Sequence, residues 1–196
     1  MSNKTLILVY SILIIILLLI GFGSMRSNEI SDGFTEYNCD VKNFNMATTI
    51  EINKGNEKFA KVKGNILTFV TDPLTMYDLE DNKLAYAGDA YHFIAQDSHA
   101  VYVDDKYTVE MVGKVDVLGE TYDIYNIDKQ KIAEAEFNDP NTYGTINDTD
   151  GNLIAEYTSN YAYNDFTIRI SDKCNIDHKS VLMIFCSYYS DQYADS

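Results

Sequence analysis

DHKSVLMIFCSYYS, residues 177–190, contains no Gly and no Pro and carries apolar side chains on every face between Val181 and Tyr189. The Asp177 carboxylate can cap a helix, so a helix is expected over 178–190. A helix apolar all round has to be buried all round. At about 13 residues it is too short to span a bilayer, where about 20 are needed. The rest of the chain must therefore enclose it. Val181, Leu182, Ile184, Phe185 and Cys186 are the side chains expected at the centre of that enclosure.

The preceding sequence is built of strands. ATTIEIN (47–53), KFAKVK (58–63), NILTFVT (65–71), LTMYDL (74–79), KLAYAG (83–88), AYHFIA (90–95), AVYVDD (100–105) and YTVEMVG (107–113) are short alternating runs separated by Asn, Gly, Asp or Pro. An internal repeat follows. TYDIYNIDKQKIAEAEF (121–137) aligns with YGTINDTDGNLIAEYTS (143–159), Ile124 falling on Ile146 and Asp128 on Asp150. A fainter copy, MYDLEDNKLAYA, lies at 76–87. Each copy is a strand, a polar turn and a strand, so the sheet is expected to meander antiparallel, without the long crossovers that parallel strands require. Eight strands make a barrel that its own side chains fill. Housing a helix about 10–12 Å across needs more, roughly eleven to thirteen. The expectation is a mainly β protein, a closed antiparallel barrel over 47–196 around the terminal helix.

Upstream, residues 5–25 hold no charge and are almost pure Leu, Ile and Val from Leu6 to Ile20. About 20 such residues rise about 30 Å as a helix, the thickness of a hydrocarbon core. The reading is a single transmembrane helix preceded by a flank at 1–4 and followed by a tether at 26–46 that ends in a first strand. A retained signal anchor is preferred over a cleaved signal peptide, for which Gly21 and Gly23 before Ser24 form the candidate cleavage site. Lys4 precedes the span, and Arg26 follows it with Glu29, Asp32 and Glu36 close behind. The positive-inside rule then puts the barrel outside the cytoplasm, in a single-pass membrane protein.

The 196 residues carry 15 Lys and Arg against 30 Asp and Glu, a net charge of −15. No positive field remains to neutralise phosphates, which excludes a nucleic-acid partner. No nucleophile elbow, phosphate loop, dinucleotide fingerprint or zinc-protease motif is present, so the chain is read as non-catalytic and without a cofactor, an enzyme of unrecognised type being the last alternative. Asp148, Asp150 and Asn152 alternate like calcium ligands. With Gly151 at the sixth position of such a loop, however, Ile146 and Tyr157 would fall on the first and twelfth, so a hairpin turn is expected instead. His92, His99 and His178, with Asp97, lack the spacing of a zinc site. Of Cys39, Cys174 and Cys186, the one pairing considered, for an extracytoplasmic domain, is Cys39 with Cys174. Lys54, Lys58, Lys61 and Lys63 form the one basic cluster. Its two readings are a contact for lipid phosphate and a strand edge guarded by lysines.

From about Lys58 to Gln192 the chain resembles the LURP-one-related and tubby C-terminal-like superfamily, which includes the phospholipid scramblases. The residues that carry the resemblance are Leu118-Gly119-Glu120-Thr121-Tyr122-Asp123-Ile124-Tyr125, Asp128 through Ile132-Ala133-Glu134, and Asp150-Gly151-Asn152 through Ile154-Ala155-Glu156. Asn164 to Ile170, Asp177 and Val181-Leu182-Met183-Ile184-Phe185 complete it. The resemblance implies a closed antiparallel barrel around an apolar C-terminal helix. It further implies a binding or sensing module at a membrane surface with a phospholipid or protein ligand, the alternative being a lipid-handling, scramblase-like protein. Tubby domains use a basic patch for phosphoinositides, where this chain is acidic. Scramblases carry an acidic calcium segment before the helix, where Ser171–Asp177 holds two carboxylates around Lys173.

Overall fold

The computed structural model describes residues 33–44, 47–65, 74–89, 98–114, 120–138, 142–159 and 165–194. Twelve strands follow one another: β1 (Phe34–Phe44), β2 (Ala47–Lys54), β3 (Glu57–Asn65), β4 (Leu74–Tyr77), β5 (Lys83–Asp89), β6 (Ser98–Val103), β7 (Lys106–Gly113), β8 (Glu120–Asn126), β9 (Lys131–Phe137), β10 (Tyr143–Asp148), β11 (Leu153–Ser159) and β12 (Asp165–Ser171). A single helix, α1 (His178–Ala194), comes last. Each strand pairs antiparallel with its neighbour in sequence, and β1 pairs with both β2 and β12, which closes the barrel. The expected span at 5–25, and the expected strands at 65–71 beyond Asn65 and at 90–95, lie outside the described residues.

Two boundaries differ from the sequence expectation. The first strand expected at the end of the tether is β1, Phe34–Phe44, and it belongs to the barrel, because Tyr37 and Cys39 alternate into the core while Glu36 and Asp40 stay outside. The polar outward residues of β1 had hidden that period of two. The helix also runs on to Ala194, as no Gly or Pro stops it after Ser190.

Alternation places one face of every strand inward. On β12, Phe166, Ile168 and Ile170 point in and Thr167 and Arg169 point out. The inner wall is lined with small residues, Ala60, Ala85, Ala87, Ala133, Ala135 and Ala155 among them. Twelve strands about 4.8 Å apart and tilted about 35–40° put the backbone roughly 12 Å from the axis. A helix about 10–12 Å across then leaves space for a single layer of modest side chains on each side. Val181 to Cys186 are 0% exposed. The helix meets strands spread round the wall. Tyr37 on β1, Thr108 on β7, Tyr122 on β8, Phe137 on β9, Tyr157 on β11 and Phe166 on β12 each meet one of its side chains.

The sequence repeat is a structural repeat. In the β4–β5, β8–β9 and β10–β11 hairpins the first turn residue, Asp78, Asn126 or Asp148, accepts backbone N–H bonds with its side-chain oxygen from residues two and four further on. The fourth turn residue adopts positive φ in each copy: Asp81 (65°), Lys129 (59°) and Gly151 (82°). A register shift opens every copy, between Met76 and Tyr77, Ile124 and Tyr125, and Ile146 and Asn147. One mechanism, an Asx turn followed by a left-handed residue, thus makes all three.

Candidate functional site

Five hairpin turns lie at one end of the barrel, the short-turn end. The turns 55–56, 78–82, 104–105, 127–130 and 149–152, the connection 172–177 and the start of α1 share it with Gly33, where the chain joins β1. The Gly33 carbonyl accepts a hydrogen bond from the Asp172 N–H at 2.8 Å and fixes that junction to the end of β12. The pairing register steps by about one residue per strand round the barrel, the stagger of strands that lean about 35°. The step compensates the lean, so the turn tips form a level rim.

Carboxylates crowd this rim and most are engaged locally. Asp78 and Asp148 are held below the usual carboxylate range by the Asn side chains and backbone N–H groups of their own turns. Asp81 takes both Lys61 (2.7 Å) and Lys63 (3.3 Å), which lower it likewise. Lys179 reaches Asp104, Lys83 reaches Asp105 at 2.5 Å, and Thr35 donates to Asp172. Asp177 caps α1 through the Lys179 N–H at 2.9 Å. The His178 ring follows it and shares a hydrogen bond with the buried Tyr37 hydroxyl (3.0 Å), while burial lowers its pKa.

The structure separates the residues of the basic cluster. Lys61 and Lys63 lie on the outer wall against Asp81, with Lys63 also over the Tyr77 ring at 5.1 Å, whereas Lys54 and Lys58 flank the β2–β3 turn. Val181, Leu182, Ile184, Phe185 and Cys186 face the inner wall, where burial pushes the Cys186 thiol up to about 12. Asp148 spends its oxygens on the Asp150 and Asn152 amides, as a hairpin turn requires. His99 is buried near the opposite end from His178, while His92 and Asp97 lie outside the described residues. No group of three or more His, Cys, Asp or Glu among the described residues could hold a metal ion. The three cysteines are free: Cys39 sits in the core and Cys174 donates to the Ile176 carbonyl at 3.5 Å.

Three features escaped the sequence reading. Glu110, 4% exposed on the outer side of β7, accepts from Lys129 (2.6 Å) and from the Tyr107 hydroxyl (3.1 Å). A left-handed lysine costs about 1 kcal/mol, and the ion pair with Glu110 accounts for Lys129 where the third copy of the turn has Gly151. That mismatch within the repeat was the available signal. Tyr86, Tyr102 and Tyr107 stand opposite one another across β5, β6 and β7, with the first two rings stacked at 4.5 Å. Ser187, inside the barrel, has no hydrogen-bond partner for its hydroxyl among the described residues.

Comparison of the chain with family models, curated proteins and solved structures finds no match. Among the described residues no helix is long and apolar enough to cross a membrane.

Proposed function

We propose that the chain is a membrane-tethered, non-catalytic recognition module of the tubby C-terminal-like, LURP-one-related kind. The observation that carries the reading is the filled lumen. Barrels that hold a small ligand keep it inside, but here α1 occupies the interior from Val181 to Tyr189 with buried side chains throughout. Recognition then falls to the outer wall and the two rims. Further support comes from the apolar segment 5–25, long enough to anchor the module, and from the charge balance around it that puts the barrel on the extracytoplasmic side.

The test uses the full chain in vesicles. It should resist carbonate extraction, expose a reporter fused after Ser196 on the extracytoplasmic side, and leave the inner-leaflet label protected from dithionite. Carbonate release would refute the tether. Accelerated loss of the inner label would replace the recognition role with lipid movement.

A further inference from the structure

Large hydrophobic side chains are exposed at four described positions, Leu79 (54%), Ile127 (65%), Tyr143 (43%) and Leu153 (37%). Three of them, Leu79, Ile127 and Leu153, are at the short-turn end. Leu79 and Ile127 hold the same position in two copies of the repeated turn, directly after the Asx residue, where the third copy has Thr149. The turn makes no use of an apolar side chain there. Its bonds come from the Asx oxygen and the backbone, and Thr149 serves equally well. Single exposed hydrophobes are ordinary on a protein surface. Two at equivalent tips of one level rim call for an explanation.

Their placement supplies one. Round the closed ring, Gly33 marks β1, Leu79 lies between β4 and β5, and Ile127 lies between β8 and β9. The three points are roughly a third of the circumference apart. Gly33 is also where the chain comes in from residues 1–32, whose segment 5–25 ends at Met25. Eight residue steps reach at most about 28 Å.

We infer that the short-turn rim seats on the surface of the bilayer at three points, the tether at Gly33 and the inserted tips of Leu79 and Ile127. The inference rests on the tethered reading above. Apolar side chains placed this way enter the boundary between head groups and acyl chains. Asp81, Asp104 and Asp105 are each met by a lysine and Asp78 and Asp148 by their own turns, while Lys54, Lys58, Lys106 and Lys173 stand on the same rim, so its charge is mixed in sign and the seat rests on the apolar tips.

The experiment reconstitutes the full chain, carrying Cys174→Ser, in phosphatidylcholine nanodiscs. Single environment-sensitive fluorophores are attached at Leu79→Cys, Ile127→Cys and, as the control, Lys42→Cys. Lys42 lies exposed on β1 toward the opposite end. Cys39 and Cys186 are buried in the fold and stay unlabelled. Both tips should shift to the blue and be quenched by doxyl-labelled lipid while Lys42→Cys does neither. Tips as water-exposed as Lys42→Cys in discs that hold the chain would overturn the seat and leave the tether standing, which includes the case of a protein covering the rim. Quenching at one tip only would overturn the three-point arrangement. A chain that does not enter the discs would remove the tether and the seat together.

Discussion

Phe185→Ala removes the ring at the middle of the barrel. That ring stacks on Tyr157 at 5.7 Å and meets Phe137 edge-on at 6.0 Å, and its residue is 0% exposed. Truncating a buried Phe costs about 3–5 kcal/mol through lost transfer energy and the cavity left behind. The partners here cannot close in. Phe137 and Tyr157 belong to a closed wall that has no free edge to move, and Phe137 is held further by Tyr122 and by Tyr188 of α1, Tyr157 by Phe166. The cost therefore belongs at the upper part of that range, against a total of about 5–15 kcal/mol. At about 2–4 °C per kcal/mol for a domain of this size, the thermal midpoint of the full chain in detergent should fall by about 8–20 °C by near-UV circular dichroism. Phe185→Leu should cost under about 1.5 kcal/mol. Leu79→Ala, at an exposed tip, should stay within about 0.5 kcal/mol. A midpoint for Phe185→Ala matching that of Leu79→Ala would mean that the helix does not fill the lumen.

Gly144→Ala would drive a Cβ into the edge of the Phe137 ring, which Tyr188 holds by stacking, so it should destabilise by about 1–3 kcal/mol in urea unfolding and be relieved by Phe137→Leu. Stability should also fall from pH 9 upward. Burial raises the Cys186 thiol from 9.0 to about 12 and raises Cys39 as well, so the unfolded chain loses these protons first. Full stability holds below pH 9, and Cys186 alone accounts for about 1.4 kcal/mol lost at pH 10, a slope that Cys186→Ala should reduce in calorimetry across pH 8–11. In the β6–β7 turn both Asp104 and Asp105 have positive φ, so Asp104→Asn with Asp105→Gly should raise the thermal midpoint by the equivalent of about 1 kcal/mol despite losing two surface ion pairs.

Much of the barrel could be read because its logic is local. The apolar helix at 178–190 demands an enclosure, and the repeat at 121–159 supplies the hairpins that build it. The first strand expected at the end of the tether starts as early as Phe34, an extent that is not legible locally because β1 owes its place to β12, more than a hundred residues away, and local alternation there is masked by Asn38, Asp40 and Lys42. The rim is harder still to read. Leu79 closes the run LTMYDL in the sequence, and only the Asx turns place it and Ile127 at exposed tips. Lys61 and Lys63 likewise looked like a free basic patch until the β4–β5 turn folded Asp81 back on them. Local pattern reports which face a residue takes, whereas a charge partner across strands depends on register.

The same non-locality bears on how the molecule assembles. β1 finds β2 at once, but its other edge stays open until β12 arrives, with the pairing running from Phe34 to Ser171. Closing so long a loop is slow, and until it closes the inner faces of eleven strands and two edges are exposed. The helix comes later still, so the wall cannot be stable by itself: its inward alanines are too small to meet across a lumen about 24 Å between opposite backbones. Deleting 178–196 should therefore abolish the cooperative transition and yield aggregated protein, since open strand edges pair with other chains. Ile184→Asp should act in the same way by placing an unpaired charge at the centre, at a cost of several kcal/mol. The two variants separate the causes. If the deletion aggregates while Ile184→Asp keeps a soluble chain with strand signal and no sharp melt, the helix is needed both to fill the lumen and to cover the edges' approach to closure. A deletion variant with an intact, sharp thermal transition would show that the wall holds itself, and the argument from the apolar helix to the twelve-stranded enclosure would fail.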